Sequence, residues 1–207
     1  GGTFNHVYDK MQLLPFAEHR PWTWSTLLPH SSIMPSKFSP GKQATIFHLT
    51  KSSFGVVICY EATYPHLSRR LVENGAQFLV NISNDTWLAG EAASAQHFSM
   101  AVFRAIENRR GLVRVATAGL SGFVDPQGRL SHLFDQHTAH QQGAIHPRQD
   151  LTIYTKYGDW FVSLCLGGIL CALIVSRIQS VEDSLPAHKQ PRFASPSLHN
   201  PLVVRHN

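Results

Sequence analysis

Short apolar runs alternate with polar turns along residues 43–134, and most of these runs have the length of a β-strand. Two runs rich in β-branched and aromatic residues, 43–49 and 54–60, flank the polar stretch TKSS and predict an antiparallel strand pair. Further strands are predicted at 77–83 and 112–118. The turn sequence DPQG then predicts a hairpin of two short strands within the last part of this region.

Two segments between these strands have the pattern of helices. Residues 64–76 place Pro65 where a first helical turn accepts proline, and Gly75 where helices commonly end. Residues 91–111 form the clearest helix, because apolar side chains recur there at helical spacing: Phe98, Ala101, Val102, Ala105 and Ile106. Strands that alternate with helices in this way indicate an α/β layered domain.

The most apolar stretch of the chain, residues 160–176, contains no charged residue. As a helix it would be about 25 Å long, close to the ~30 Å hydrocarbon core of a bilayer. Tyr157 and Trp160 on one side and Arg177 on the other suit interfacial anchors. We therefore interpret residues 158–177 as a transmembrane helix rather than a buried core helix.

The last residues, 178–207, are rich in proline, serine and histidine and predict a disordered tail. Basic residues outnumber acidic ones in this tail, which places it on the cytoplasmic side of a membrane and the globular domain on the opposite face. The other end of the chain begins GGTFNHVYDK, without an initiator methionine or a signal-like stretch. We therefore expect the chain to be the C-terminal portion of a longer protein.

Composition narrows the function only modestly. The formal net charge of +5 comes from 18 Lys and Arg against 13 Asp and Glu, and no long basic run marks a nucleic-acid-binding surface. Of the three cysteines, Cys165 and Cys171 lie in the apolar run, so no disulfide framework is implied and Cys59 stands alone in the rest of the chain. The thirteen scattered histidines lack the spacing of a metal site, and we expect neither a metal nor another cofactor.

Cys59 ends the strand predicted at 54–60, immediately before a polar turn and Pro65. A lone free cysteine is most often a small buried hydrophobe without chemistry. A nucleophilic thiol needs a lowered pKa and access to substrate, and ligands of α/β proteins bind beside the carboxyl ends of strands. The position suits a nucleophile, but the residues alone leave both interpretations open.

Lys10 and Glu18 stand out in the apolar, proline-rich segment YDKMQLLPFAEHRPW. Each could be ordinary surface charge, with Glu18 paired to Arg20. Alternatively, a lysine beside a thiolate could stabilise the oxyanion of an acyl intermediate, and the glutamate could act as an acid, a base or an orienting carboxylate. The tight polar stretch SNDTWLAG is either a simple turn or the wall of a pocket.

Taken together, several motifs resemble the nitrilase, or carbon–nitrogen hydrolase, superfamily. The elements ICYE and RAxENR are similar to the whole superfamily, whereas KxxLxPFxE, SNDTW followed by QH, and the final apolar span look like its apolipoprotein N-acyltransferase branch. The resemblance extends from about residue 4 to about residue 176. It implies an α-β-β-α sandwich, present in part over residues 1–157 and followed by one C-terminal transmembrane helix.

The resemblance also implies a Glu–Lys–Cys catalytic triad. Cys59 matches the nucleophile, Lys10 the triad lysine, and Glu18 a second essential glutamate beside the active site. The glutamate that acts as general base is expected upstream of this chain. Tyr60 and Glu61, which follow the nucleophile, are assigned to the substrate-binding site, and the Tyr60 N–H to the oxyanion hole.

Trp87 matches a tryptophan of the family's substrate pocket. Two positions depart from the family pattern, since Ala17 stands where the family usually has glycine and Leu88 where it usually has phenylalanine. The first departure implies a stiffer loop. The second implies a changed contact with the acyl chain or lipid.

The implied reaction is N-acylation of the diacylglyceryl-cysteine at the N-terminus of an apolipoprotein. Cys59 takes a fatty acyl chain from a phospholipid as a thioester, and the α-amine of the acceptor attacks that thioester. The implied location is the bacterial inner membrane, with the catalytic domain on the periplasmic face. The loop around Trp22 and Trp24 is interpreted as an interfacial element that admits the lipids.

Two alternatives stay open from the sequence. One is a soluble nitrilase-type amidase that acts on small C–N substrates with the same cysteine and lysine, for which the apolar run is not needed. The other is a fragment that keeps the fold but is inactive because it lacks the general-base glutamate. Behaviour without detergent tests the first alternative, and the upstream sequence tests the second.

Overall fold

The computed structural model of the 207-residue chain describes residues 7–19, 38–88, 90–134 and 140–184. It divides into two compact units, residues 1–160 and 161–207. The loop predicted around Trp22 and Trp24 lies outside the described residues, and so does most of the predicted tail.

One six-stranded mixed sheet organises the first unit, with the strands in sequence order. The strands are β1 Ile46–His48, β2 Ser53–Ile58, β3 Phe78–Ser83, β4 Gly111–Ala116, β5 Ser121–Val124 and β6 Leu130–Phe134. The three central strands, β2 to β4, run parallel, whereas β1, β5 and β6 each pair antiparallel. The predicted strand pair, the predicted central strands and the hairpin around DPQG are thereby confirmed.

Helices connect the parallel strands, as an α/β layered domain requires. The helices are α1 Pro65–Glu73, α2 Glu91–Asn108, α3 Ile153–Tyr157 and α4 Trp160–Ser184. Pro65 begins α1 as predicted, and Gly75, just beyond the helix, has a left-handed φ of 103° that glycine adopts without strain. The helices α1 and α2 lie between consecutive parallel strands and form the helical layer of the predicted α/β architecture.

The hydrophobic core lies between α1, α2 and the sheet. Its buried side chains come from both layers: Val57, Ala62, Leu71, Val72, Ala76, Leu79, Phe98, Ala101, Ala105, Leu112 and Val124. Gly55 of β2 allows α1 to approach closely, because a Cβ there would lie 2.9 Å from the Cβ of Leu71. Among the apolar positions predicted for the inner face of α2, Ile106 is the exception, with 42% of its surface exposed.

The helix α4 extends further than the sequence pattern indicated. The helix continues to Ser184, past residue 177 where the predicted transmembrane segment ends, because this stretch has no glycine or proline and arginine is itself a good helix former. Residues Trp160–Val181 are long and apolar enough to cross a membrane, and within the described part of the chain this is the one such helix. Its 22 residues give a length of about 33 Å, enough for a ~30 Å hydrocarbon core.

Candidate active site

Cys59 follows β2 directly, at the first residue of a short 3-10 turn, Cys59–Thr63. Its φ of 53° is left-handed, a conformation that costs a non-glycine residue about 1–3 kcal/mol. Its half-buried Sγ lies 3.9 Å from the carbonyl oxygen of Asn84, which follows the neighbouring strand β3. Because β2 and β3 are parallel, their carboxyl ends bring these two residues to the same edge of the sheet.

A cavity of about 500 Å³ opens at this edge of the sheet. Its lining comes from three separate stretches of the chain: Lys10, Leu14, Ala17, Glu18, Ile58, Cys59, Ile82, Ser83, Asn84 and Trp87. The three residues predicted to be catalytic therefore share one cavity with Trp87, whose side chain is half exposed. The stretch SNDTWLAG forms part of a pocket wall rather than a simple turn.

Lys10 and Glu18 form a close ion pair at the cavity wall. The Nζ atom of Lys10 lies 2.8 Å and 2.7 Å from the two carboxylate oxygens of Glu18, and the N–H of Leu14 donates to the same carboxylate at 2.7 Å. Burial acts to raise the pKa of Glu18, but the Leu14 N–H and the Lys10 ammonium outweigh it and hold that pKa below its usual value. Glu18 is therefore an ionised carboxylate that orients the ammonium group of Lys10.

Glu61 lies away from the cavity surface. Its side chain is fully buried and is not among the residues that line the cavity, and its predicted place in the substrate-binding site stays a prediction. The carboxylate instead accepts hydrogen bonds from the backbone N–H groups of Met11, Gln12 and Ile58, at 2.6 Å, 3.0 Å and 2.7 Å. These hydrogen bonds hold the residues that follow Lys10 against the end of β2.

Tyr8 completes the surroundings of this carboxylate and carried no signal in the sequence. Its hydroxyl group donates to Glu61, and the pKa of Tyr8 is raised strongly by burial and by the adjacent negative charge. The phenol therefore stays protonated and remains a donor. Tyr60 also lies outside the cavity lining, and its ring packs edge-on against Tyr64 at 5.4 Å between centroids.

Gly41 fixes the backbone at Lys10 from the other side. Its N–H donates to the carbonyl oxygen of Lys10 at 2.8 Å. A Cβ at this position would overlap the carbonyl oxygen of Asp9, so the contact requires glycine. Two separate interactions, at Gly41 and at Glu61, thus hold the loop that presents the lysine.

The two departures from the family pattern lie close to the cavity. Ala17 lines it, and the left-handed backbone of this loop falls on Phe16, with a φ of 65°, so an alanine at 17 brings no left-handed strain. Leu88 follows the cavity wall, and its N–H donates to the carbonyl oxygen of Asp85 at 3.0 Å.

A buried polar network lies beneath Cys59 and was not predicted. Asp85, only 4% exposed, accepts from Ser83 Oγ at 2.6 Å and from Arg114 Nη2 at 2.7 Å, and lies 3.0 Å from Nδ1 of His97. The other ring nitrogen, Nε2, lies 3.2 Å from the carbonyl oxygen of Cys59. The only sequence signal was the motif SNDTW followed by QH, which contains three of these residues, Ser83, Asp85 and His97.

The electrostatics of this network favour a charged Asp85. Burial alone would raise the pKa of Asp85, but the hydrogen bonds from His97 and Ser83 and the positive charge of Arg114 lower it to about 2. Arg114 is itself fully buried, and desolvation lowers its pKa although Asp85 opposes the change. Within the described part of the chain, no group of three His, Cys, Asp or Glu side chains is arranged to hold a metal ion.

Comparison with known proteins adds a family and named relatives. Residues 1–145 match the carbon–nitrogen hydrolase family. The apolipoprotein N-acyltransferase of Geobacter metallireducens is 37% identical over 177 residues, which is 82% of this chain and 33% of that protein. The enzyme of the same name from Thermotoga maritima is 34% identical over 184 residues, or 86% of this chain and 36% of that protein.

The chain spans about a third of the length of these curated relatives. Among solved structures, an amidase from Nesterenkonia sp. is similar at 19% sequence identity and a TM-score of 0.49, with 77% of this chain and 55% of that chain covered. The family match agrees with the fold class predicted from the sequence, a nitrilase-like α/β layered domain, here followed by the apolar helix α4.

Proposed function

The chain belongs to the carbon–nitrogen hydrolase family, and on that premise we propose that it carries the nucleophile and the oxyanion-binding part of an apolipoprotein N-acyltransferase. The observation that carries the proposal is the shared cavity of Cys59, Lys10 and Glu18. The thiol and the ammonium group line the same cavity, Glu18 pairs with the ammonium group, and the buried carboxylate of Glu61 holds the backbone next to Lys10. The curated relatives of that name support the choice among the activities of the family.

In the first half of the proposed reaction, the Cys59 thiolate attacks the ester carbonyl carbon of a phospholipid acyl chain. A C–S bond forms, and the carbonyl oxygen becomes an oxyanion that accepts hydrogen bonds from Lys10 Nζ and the Tyr60 N–H. Collapse of the oxyanion breaks the C–O bond to the glycerol. The leaving alcohol takes up a proton, and the acyl group remains on Cys59 as a thioester.

In the second half, the α-amine of the diacylglyceryl-cysteine attacks the thioester carbon. A second oxyanion forms at the same donors and collapses with cleavage of the C–S bond, so the Cys59 thiolate is regenerated and an amide is released. The proton of the amine goes to a general base, a role that the family resemblance gives to a glutamate upstream of this chain. Glu18 keeps the Lys10 ammonium directed at the cavity throughout.

The apolar helix α4 suits this chemistry because the donor and the acceptor are both lipids that reside in a bilayer. We assign α4 as a membrane anchor of the bacterial inner membrane, with the catalytic unit on the periplasmic side. The length of Trp160–Val181 and its single charge, Arg177, support the assignment. A soluble amidase would have no use for such a helix.

The test is an intact-mass measurement of the full-length protein incubated with phospholipid in detergent. We expect an added mass equal to one acyl chain on Cys59, absent in Cys59→Ala and retained in Cys165→Ser, the matched control at another cysteine. Lys10→Met should slow the acylation by about 10²–10³-fold, the usual cost of one oxyanion donor, whereas Lys42→Met, which alters a different cavity, should not. An adduct that persists in Cys59→Ala would disprove the proposal.

A second outcome would replace the proposed acyltransferase activity with another activity of the family. If the protein stayed in the aqueous phase without detergent and released ammonia from small amides, with no acyl adduct from phospholipid, the activity would be that of an amidase.

A further inference from the structure

We infer, resting on the acyl transfer proposed above, that His97 is a positioning residue that holds the Cys59–Tyr60 peptide group so that the Tyr60 N–H serves the oxyanion. Nε2 of His97 lies 3.2 Å from the carbonyl oxygen of Cys59. A carbonyl oxygen can only accept a hydrogen bond, so Nε2 carries a proton and donates. His97 thus holds the nucleophile by its backbone and not by its thiol.

Because a peptide group is planar, the hydrogen bond from His97 to the Cys59 carbonyl also determines where the Tyr60 N–H points. A trans peptide is planar, and its C=O and N–H point in opposite directions. None of the described peptide bonds is cis, so His97, in fixing the Cys59 carbonyl, also fixes the direction of the Tyr60 N–H. The left-handed φ of 53° at Cys59 is unfavourable for an L-residue, and the peptide therefore needs such an external hold to keep this orientation.

His97 can act as a rigid hold because it is itself fixed from behind. It is 6% exposed, and its Nδ1 lies 3.0 Å from Asp85 Oδ1 and 3.2 Å from Arg114 Nη2. Arg114 in turn donates to Asn81, whose side-chain amide donates to the carbonyl of Val57 in β2 at 3.0 Å. The network therefore contacts two backbone carbonyl groups near the thiol, that of Val57 in β2 and that of Cys59 itself.

The chemistry separates this role from general support of the fold. Alkylation of a thiolate by iodoacetamide forms a C–S bond by displacement of iodide, and no oxyanion develops. Acylation by an ester passes through an oxyanion that needs its donors. A residue that positions the Tyr60 N–H should therefore affect acylation of Cys59 and leave its alkylation almost unchanged.

Two neutral variants of similar size distinguish the ring nitrogens. The amide nitrogen of His97→Gln reaches the position of Nε2 and can still donate to the Cys59 carbonyl, whereas that of His97→Asn matches Nδ1 and cannot. In the full-length protein, with p-nitrophenyl butyrate as the ester and iodoacetamide as the alkylating agent, we expect His97→Asn to lose about 100-fold in acylation. Its alkylation should hardly change, and His97→Gln should recover most of the lost rate. Wild-type acylation in His97→Asn, or a parallel loss of both reactions, would overturn the inference.

A spectroscopic measurement decides the same question without any turnover. Cys59–Tyr60 is the one Cys–Tyr pair among the 207 residues, so ¹³C-carbonyl cysteine and ¹⁵N-tyrosine labels report on this peptide bond, assigned by the loss of its signal in Cys59→Ser. We expect His97→Asn to shift the signal and His97→Gln to leave it near the wild-type position. An unmoved signal in His97→Asn would refute the inference. If wild-type Cys59 formed no acyl adduct, the proposed function would fail, whereas this spectrum would still decide the role of His97.

Discussion

The phenol oxygen of Tyr8 lies 3.0 Å and 2.9 Å from the two carboxylate oxygens of Glu61, a residue 53 positions further along the chain. The same carboxylate accepts the N–H of Met11, so Lys10 stands between two residues that are bound to one acceptor. Glu61 also accepts the N–H of Ile58, the last residue before the nucleophile. One buried carboxylate therefore sets the separation between the lysine and the cysteine.

Glu61→Gln should lower the free energy of unfolding by about 2–3 kcal/mol. The glutamine amide has an NH2 group in place of one carboxylate oxygen, so some of the N–H and O–H groups that now donate to Glu61 would face another donor and lose their acceptor. Chemical denaturation in detergent measures the change. Glu73→Gln is the matched control, since Glu73 pairs with Arg69 at the surface, where an ion pair contributes roughly 0–1 kcal/mol. Equal effects of the two substitutions would contradict the structural role assigned to Glu61.

Asp85 should make the protein less stable in acid. Its pKa of about 2, against an ordinary 3.8, means that the folded state binds a proton less readily than the unfolded state. The resulting contribution, about 2.5 kcal/mol, is complete above the ordinary value and is lost as the pH falls towards 2. Urea denaturation between pH 7 and pH 3 should show the first part of this loss, about 1 kcal/mol, in the wild type and a weaker pH dependence in Asp85→Asn.

At neutral pH, Asp85→Asn should destabilise the fold by roughly 3–5 kcal/mol, because Arg114 loses its buried counter-ion. Asp150→Asn provides the comparison. The pKa of Asp150 is also lowered, by the hydrogen bond from Arg148, but both side chains lie at the surface and solvent screens the pair. A similar loss of stability in the two variants would show that the buried network does not depend on charge.

Trp87→Ala should weaken the binding of long-chain acyl donors in preference to short ones. The indole is 49% exposed at the cavity wall, and contact with an acyl chain would remove apolar surface from water. A loss of about 1 kcal/mol corresponds to a rise of roughly fivefold in KM for a long-chain donor. Phe103→Ala removes an aromatic ring of α2 that is 53% exposed and lies outside the cavity, and its KM should not change. Equal effects on short and long donors would exclude this role.

Leu170→Arg should prevent stable membrane insertion of α4. The residue lies near the middle of Trp160–Val181, where an arginine costs about 2.5–3.5 kcal/mol on insertion scales. After an alkaline carbonate wash, the wild-type chain should remain with the membranes and Leu170→Arg should be partly released, whereas Leu170→Phe should behave as wild type. Recovery of the wild-type chain in the supernatant without detergent would rule out the anchor.

Local patterns in the sequence were sufficient for the elements and for the position of the nucleophile. The alternation of apolar runs with turns predicted β1 to β6, and the strand that ends before Pro65 placed Cys59 at an edge of the sheet. Only the family resemblance predicted that Lys10 and Cys59 lie in one site, because no sequence periodicity relates residues that are 49 positions apart. The apolar pattern ends at Arg177 but α4 continues to Ser184, because a charge interrupts an apolar pattern without interrupting a helix.

The contacts that the sequence did not reveal are hydrogen bonds between buried polar side chains and backbone groups of residues far away in the sequence. Glu61 was expected at the substrate because it follows the nucleophile, yet three of its donors are backbone N–H groups, which every residue other than proline possesses. His97 reaches Cys59 only because α2 packs against the 3-10 turn Cys59–Thr63, which follows β2. Such partners depend on the packing of whole elements, which residue type alone does not encode.

The hydrogen bond between Gly41 and Lys10 joins two positions that lie 31 residues apart in the chain. Because a Cβ at position 41 would overlap the carbonyl oxygen of Asp9, any larger residue there displaces the backbone next to the lysine. Position 41 therefore constrains the reaction centre over evolution as tightly as the lysine itself, although it does not line the cavity.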